Sequence, residues 1–164
     1  MNPYESPWMD DDLRMLREAV SRFVETEMLP QEPRWRAEHR VDYETWRAVG
    51  EAGFLLMDVP SEYGGGGGDF RHESVLYEEL ARRGISGFGQ GVHSIAAHYV
   101  LNYGSEEQRQ RWLPRMASGE LVGAIAMTEP GAGSDLKGIR TKAVRDGDHY
   151  VVNGSKIFIT NGSI

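Results

Sequence analysis

The chain has 164 residues, of which 18 are basic and 25 acidic, and its formal net charge is −7. Its apolar fraction of 40%, with four Trp, seven Tyr and five Phe, excludes a chain that is disordered throughout. Cysteine is absent, which excludes disulfides, thiolate metal sites and thiol nucleophiles. The acidic balance argues against nonspecific nucleic-acid binding, because that activity needs a basic face.

Localisation and charge distribution give two further expectations. The first twelve residues are acidic and lack both the apolar core of a secretory signal and the arginines of a transit peptide. No apolar run approaches the about 18 residues needed to span a bilayer. We therefore expect a cytoplasmic protein with no membrane span. Residues 1–120 contain 13 arginines and 21 acidic side chains, whereas residues 121–164 contain five basic and four acidic ones, so the C-terminal part better tolerates an anionic cofactor.

Residues 1–120 predict an all-α domain, and its first helix carries several terminal signals. Ser6 is placed to be the N-cap and Pro7 the first helical residue, and the aspartates at 10–12 add negative charge in the opening turn. Apolar residues then recur at helical spacing. Pro30 and Pro33 are expected to end this helix.

Four more helices are predicted, each closed by a glycine. They begin near Asp42, Arg71, Gly91 and Ser105, and they end near Gly53, Gly84, Gly104 and Gly119. The fourth of the five carries the apolar residues Val92, Ile95, Ala96, Tyr99 and Val100. The fifth begins with a capping box formed by Ser105 and Gln108. His93 and His98 are five residues apart, off the spacing that places two ligands on one helix face, so no metal site is expected.

The five-glycine run Gly64–Gly68 does not match a nucleotide-binding loop. It lacks the Lys-Ser/Thr of a P-loop and the strand-turn-helix context of a dinucleotide fingerprint. We expect a flexible surface loop.

From about residue 121 the pattern changes to that of β-structure. Residues 121–127 are apolar, residues 141–144 and 150–152 flank an Asp-Gly-Asp turn, and an Asn-Gly turn precedes the apolar residues 157–159. The predicted fold class is therefore α+β: an all-helical domain over 1–120, then the first strands of an antiparallel β-barrel-like domain over 121–164. Three or four strands would leave an open apolar edge, which domains avoid, so we expect a truncated chain.

The segment from Thr128 to Asp135 has the composition of a ligand-binding turn. Pro130 fixes the backbone, Gly131 and Gly133 let amides approach a ligand closely, and Thr128 and Ser134 add hydroxyl groups. These residues also fit an ordinary Pro-Gly loop between strands.

Two segments together resemble the acyl-CoA dehydrogenase family of flavoenzymes. They are I-A-M-T-E-P-G-A-G-S-D over 125–135 and S-K-I-F-I-T-N-G over 155–162. The family's P-x-x-Y/F-G-G loop, its third-helix segment and the helix before its β-domain resemble residues 60–65, 77–81 and 104–108. Residues 123–125 and 136–139 are similar to the long-chain subgroup.

The resemblance implies an FAD site. The residues expected to contact FAD are Ile125, Ala126, Met127, Thr128, Gly131, Gly133, Ser134, Phe158, Ile159 and Thr160, and Ser134 is also expected to contact the substrate. In the family the aromatic residue matching Phe158 packs on the flavin, and the hydroxyl matching Thr160 approaches the flavin N5. Many members have Trp where this chain has Phe158. The Phe side chain keeps the packing on the flavin but lacks the N–H donor of Trp.

The implied reaction is the α,β-dehydrogenation of an acyl-CoA thioester, in which a carboxylate removes the α-proton and the β-hydrogen leaves as hydride. The family's base is a glutamate on a later helix, beyond Ile164, so no residue here is expected to be catalytic and the isolated chain is expected to be inactive. The implied partners are electron-transfer flavoprotein as acceptor and further copies in a dimer or tetramer. An acyl-CoA oxidase, a flavin monooxygenase of the same fold, and a non-enzymatic helical remnant are the alternatives.

Overall fold

The computed structural model describes residues 4–164 and gives a helical part followed by a β-hairpin. Its helices and strands are α1 Asp11–Phe23, α2 Glu32–Glu38, α3 Tyr43–Glu51, α4 Phe70–Arg82, α5 Gln90–Tyr103, α6 Glu106–Ala117, β1 Lys142–Asp146 and β2 His149–Asn153. The α+β fold class is confirmed, whereas the division at residue 120 stays a prediction. Within the described residues, no helix is long and apolar enough to cross a membrane.

Helix α1 begins four residues later than the sequence predicts. The Asp10 carboxylate accepts a hydrogen bond from the backbone N–H of Leu13 at 3.0 Å, so Asp10 is the N-cap and the helix starts at Asp11. Ser6 and Pro7 lie before the helix, where the Ser6 carbonyl closes a turn. The predicted N-cap is therefore wrong, although the acidic first turn is confirmed.

Pro30 and Pro33 do not end the helical path. After α1 the chain continues through a short π-helix over Val24–Met28 and a 3₁₀ turn over Leu29–Gln31 into α2. Pro33 lies in the first turn of α2, where an N–H would have no intrahelical acceptor and its absence costs nothing. The path ends at His39, whose left-handed φ of 55° terminates α2.

The hydrophobic core lies between the helices. Trp46 on α3 is fully buried and packs against Phe88, with ring centroids 4.3 Å apart. The other fully buried large apolar side chains are Leu13, Val20, Val24, Met28, Val49, Leu56, Val59, Val75, Leu76 and Leu113. Burying one such side chain stabilises the fold by roughly 1.5–3 kcal/mol, so this core dominates the stability of the chain.

The run Gly64–Gly68 lies at the surface, as the sequence predicts, with Gly64, Gly66 and Gly67 exposed, but hydrogen bonds hold its backbone in place. The amides of Gly65, Gly66, Gly67 and Gly68 donate at 2.9–3.3 Å to the carbonyls of Pro60, Leu56, Val59 and Met57. A Cβ on Gly65 would lie 2.2 Å from the Val59 oxygen, so this position requires glycine. Because these amides are paired internally, they are not free to bind phosphate.

The β part contains one antiparallel hairpin among the described residues, where the sequence predicts three or four strands. Strands β1 and β2 pair with Val144 opposite Val151, around a turn at Gly147 with φ 58°. Residues 121–127 and 157–159, predicted as strands, lack the repeated hydrogen bonds of a ladder.

Candidate functional site

The two segments that resemble a flavin site lie side by side. The backbone N–H of Ile157 donates to the Thr128 carbonyl at 2.9 Å. The Lys156 ammonium donates to the Met127 carbonyl, also at 2.9 Å. These bonds bring residues 125–128 and 156–160 together into one surface.

This surface exposes apolar side chains. Phe158 is 87% exposed, Met127 42% and Ile159 36%. Phe158 also has a φ of 55°, which costs free energy for a residue with a Cβ and which prevents a continuous strand here. Ile125 and Thr128 are half-buried, and Ala126 and Thr160 are exposed. Because soluble proteins rarely expose adjacent apolar side chains, the pattern indicates a contact surface.

A tight turn follows the first segment. Glu129 and Ala132 exchange two backbone hydrogen bonds, of 2.9 and 3.1 Å, with Pro130 and Gly131 at the corner. A Cβ added to Gly131 or to Gly133 would meet no atom within 4 Å. Packing within the chain therefore does not require glycine here, and the open space lets a ligand approach the backbone. Gly131, Gly133 and Ser134 are all exposed.

The carboxylate of Glu129 holds the turn in place. It accepts hydrogen bonds from the Thr141 hydroxyl, from the backbone N–H groups of Arg140 at 2.8 Å and Thr141 at 2.9 Å, and it pairs with Lys156 at 3.0 Å. These donors, the Thr141 hydroxyl foremost, lower the pKa of Glu129 to about 2. A carboxylate with so low a pKa is a poor proton acceptor, so its role is structural.

Asn161 joins the second segment to the helical part. Its side-chain amide donates to the carbonyls of Gly89 and Gly123, both at 3.0 Å. Gly89 precedes α5, and a Cβ on it would lie 2.7 Å from the Thr160 methyl group. Thr160 and Asn161 therefore pack on the N-terminal end of α5.

The structure joins some of the predicted residues and leaves others apart. Within the described part of the chain, no hydrogen bond links residues 131–134 to residues 158–160. Sequence reasoning missed Lys156 and Asn161 as supports. Asn161 stands in the T-N-G of the second segment, a signal that could have identified it, whereas nothing in the sequence marks Lys156.

Comparisons with known proteins agree with this arrangement. The family model of the acyl-CoA dehydrogenase N-terminal domain matches residues 10–120, and that of the middle domain matches residues 124–164. The mitochondrial long-chain specific acyl-CoA dehydrogenase of Sus scrofa is 44% identical over 149 residues, which cover 90% of this chain and 35% of that protein. The mitochondrial isovaleryl-CoA dehydrogenase of Bos taurus is 37% identical, over 94% of this chain and 37% of its own length. The chain thus spans little more than a third of these curated relatives.

Solved structures match the fold closely. An acyl-CoA dehydrogenase from Geobacillus kaustophilus has a TM-score of 0.92 and 45% identity, over 96% of this chain and 42% of that one. A glutaryl-CoA dehydrogenase from Mycobacterium smegmatis in complex with FADH2 has a TM-score of 0.87 and 35% identity, over 94% and 40%. An acyl-CoA dehydrogenase complexed with FAD from Bacillus anthracis has a TM-score of 0.88 and 34% identity, over 98% and 28%.

Proposed function

The chain belongs to the acyl-CoA dehydrogenase family, and we propose that it forms one wall of the FAD site in an enzyme that dehydrogenates acyl-CoA thioesters at the α,β bond. The observation that carries the proposal is the pairing of residues 125–128 with 156–160 into a surface that exposes Phe158, Met127 and Ile159. The FAD and FADH2 named for two similar structures support the choice of cofactor.

The residues present fit FAD. Phe158, Met127 and Ile159 offer an exposed apolar face of the kind that packs against an aromatic ring system. The open space at Gly131 and Gly133, with the exposed Ser134 hydroxyl, suits the pyrophosphate, because amides and hydroxyls can donate to its oxygens. When bound, the flavin would accept the β-hydrogen of the acyl chain as hydride.

The chain contributes orientation rather than proton transfer to this reaction. Ser134 is assigned a substrate contact by the resemblance alone. The carboxylate of Glu129 is buried, has a pKa of about 2, and is already bound to the Thr141 hydroxyl and the Lys156 ammonium, so it does not serve as the base. We propose that a carboxylate outside these two segments takes the α-proton. Since the described residues offer a single wall of the site, we expect the 164-residue chain alone to bind FAD weakly and to be inactive.

The acyl group and the partners remain proposals. Relatives at 37–44% identity are named for long-chain, isovaleryl and short-chain substrates, so their names do not select one acyl group. A similar structure, 36% identical, is described as an electron transferring flavoprotein of Acidaminococcus fermentans, and a flavoprotein of that kind is the acceptor that we propose. A dimer or tetramer and a cytoplasmic location stay predictions, and several relatives are named as mitochondrial.

Titration with FAD tests the proposed surface. We expect the chain to quench FAD fluorescence and Phe158→Ala to weaken that binding several-fold. Phe70→Ala is the matched control, because Phe70 is 67% exposed on α4, outside the proposed surface. Equal FAD binding by both variants and the unchanged chain would contradict the assignment.

A chimera tests the reaction class. Residues 1–164 would replace the corresponding part of the 45% identical Geobacillus enzyme. We expect anaerobic acyl-CoA to bleach the flavin absorbance and air to restore it slowly. Fast reoxidation by air would instead favour an oxidase or monooxygenase, and a folded chimera without flavin would favour a non-enzymatic protein.

A further inference from the structure

A buried histidine lies behind the proposed flavin surface. His93 is on α5, fully buried, with its ring centroid 5.2 Å from that of Trp46. Its Nδ1 is 2.9 Å from the backbone nitrogen of Gly123, and its Nε2 is 3.2 Å from the Met116 carbonyl oxygen. His93 therefore bridges α6 and the chain that enters the first flavin segment.

The partners of His93 fix its protonation state. A backbone N–H can only donate and a carbonyl can only accept, so Nδ1 must accept from Gly123 and Nε2–H must donate to Met116. Only the neutral imidazole with its proton on Nε2 makes both bonds. Burial favours the same form by lowering the pKa of His93 to about 4.

Gly123 is held from both sides. Its N–H donates to His93 at 2.9 Å, and its carbonyl accepts from the Asn161 side chain at 3.0 Å. A Cβ on Gly123 would lie 2.9 Å from the Ala96 Cβ and 3.0 Å from the Met116 Cε, too close for either to be accommodated without movement. The backbone of one residue thus touches the helical part and the second flavin segment.

We propose that His93 and Asn161 are positioning residues, which fix the two flavin segments relative to the helical part by holding the N–H and the carbonyl of Gly123. Gly123 lies two residues before Ile125, and Asn161 directly follows Thr160. A displacement of Gly123 therefore displaces the start of one segment and the end of the other. The inference rests on the proposed flavin role of these segments.

Substitutions of His93 distinguish a hydrogen-bonding role from a role in packing alone. Asn has an oxygen near the position of Nδ1, so His93→Asn keeps the acceptor for Gly123 and loses the donor to Met116. The side-chain amide of Gln reaches the position of Nε2, so His93→Gln keeps that donor and loses the acceptor. If His93 acted only through packing, both variants would leave the Gly123 amide with similar protection.

Amide hydrogen exchange, followed by NMR on the 164-residue chain, separates these cases. The probes are the Gly123 N–H and the Ile157 N–H, whose bond to Thr128 reports the alignment of the two segments. We expect His93→Gln to speed exchange at both amides by about tenfold, the size expected for a lost hydrogen bond, and His93→Asn to leave both close to the parent value. Equal exchange in the two variants would overturn the role of His93.

Asn161 supplies an independent arm if a His93 variant fails to fold. Asn161→Asp keeps a residue type that tolerates the φ of 64° but removes the donor and faces two carbonyls with a carboxylate. The same change at the exposed Asn153 is the control. We expect faster exchange of Ile157 in Asn161→Asp and no change in Asn153→Asp; an unchanged Ile157 in both would refute the proposal. These readouts need no FAD, so absence of FAD binding with the expected exchange pattern would refute the flavin role alone.

Discussion

The helical part and the part after residue 120 are held together in different ways. In the helical part, large apolar side chains such as Trp46, Leu13 and Leu76 are fully buried. Within residues 121–164, by contrast, Glu129 and Ala132 are the only buried residues. Hydrogen bonds from Lys156 and Asn161 connect the segments of this part to each other and to the helical part. The helical part thus provides stability through its core, while the second part holds a contact surface through a few polar bonds.

The largest effect should come from the core. Trp46→Ala removes a fully buried side chain on α3, and we expect the free energy of unfolding to fall by about 3–5 kcal/mol in chemical denaturation. Val152→Ala is the control in the hairpin, where Val152 is 64% exposed, and should change it by less than about 0.5 kcal/mol. If both variants lost a similar amount of unfolding free energy, the helical core would not be the main source of stability.

The helical part should also show a pH dependence that comes from Glu73. Its fully buried carboxyl accepts from the Met57 N–H at 2.9 Å, and burial, helped by Asp58, raises its pKa to about 7. The folded state therefore binds the Glu73 proton more tightly than the unfolded state does, which stabilises the fold at low pH. This stabilisation is lost as the pH rises from 4.5, the pKa in the unfolded chain, through about 7, the pKa in the folded chain.

Glu73→Gln isolates this contribution. Relative to the parent chain, the variant should gain about 3 kcal/mol of unfolding free energy between pH 4.5 and 7, from denaturation curves at each pH. Comparing the two chains cancels the opposite dependence from His93, whose depressed pKa of about 4 reduces stability as pH falls below 6.5. A difference that does not vary with pH would show that Glu73 titrates normally.

A smaller, local effect is expected at Glu129. Because its pKa is lowered to about 2, its ionised form stabilises the turn above pH 4.5, and that contribution is lost as pH falls through 2. Glu129→Gln should speed amide exchange of Arg140 and Thr141 at neutral pH with little change in the melting of the helices. If Glu129→Gln also lowered the melting temperature of the helices, the stability of the helical part would depend on the turn, against the contrast between the two parts. Asp148→Asn, in the exposed hairpin turn, is the control.

The smallest effect on stability should come from Gly131. Gly131→Ala places a methyl group in open space, so the free energy of unfolding should stay within about 0.5 kcal/mol of the parent value. FAD binding should nevertheless weaken, since the methyl group occupies space assigned to the ligand. Unchanged FAD affinity in a titration would remove Gly131 from the proposed site.

The helices with local signals were predictable from the sequence. Asp42 caps α3 as expected, and Ser105 with Gln108 forms both bonds of a capping box before α6. At α1 the structure uses Asp10 and not the predicted Ser6 as N-cap, and both residue types are good caps, so the cap preference alone does not select between them. Helix α2 is not predicted, because Pro33 reads equally well as a stop and as a residue of a first helical turn.

Long-range contacts account for the other differences. The apolar residues of α5 include Ile95 and Tyr99, which are 51% and 56% exposed, whereas His93 is buried. Periodicity could not show this, because burial of His93 depends on acceptors and donors from distant residues. For the site, the sequence predicted the two segments; their alignment through Lys156 and Asn161 depends on distant backbone carbonyls and has no periodic signal.

The most direct test of the proposed flavin surface is to map amide NMR shifts of the 164-residue chain during FAD addition. We predict that the largest shifts fall within residues 125–134 and 158–160, on the exposed side of the paired segments. Shifts concentrated on the helices, or none at FAD concentrations that quench fluorescence, would contradict the assignment of this surface to the flavin.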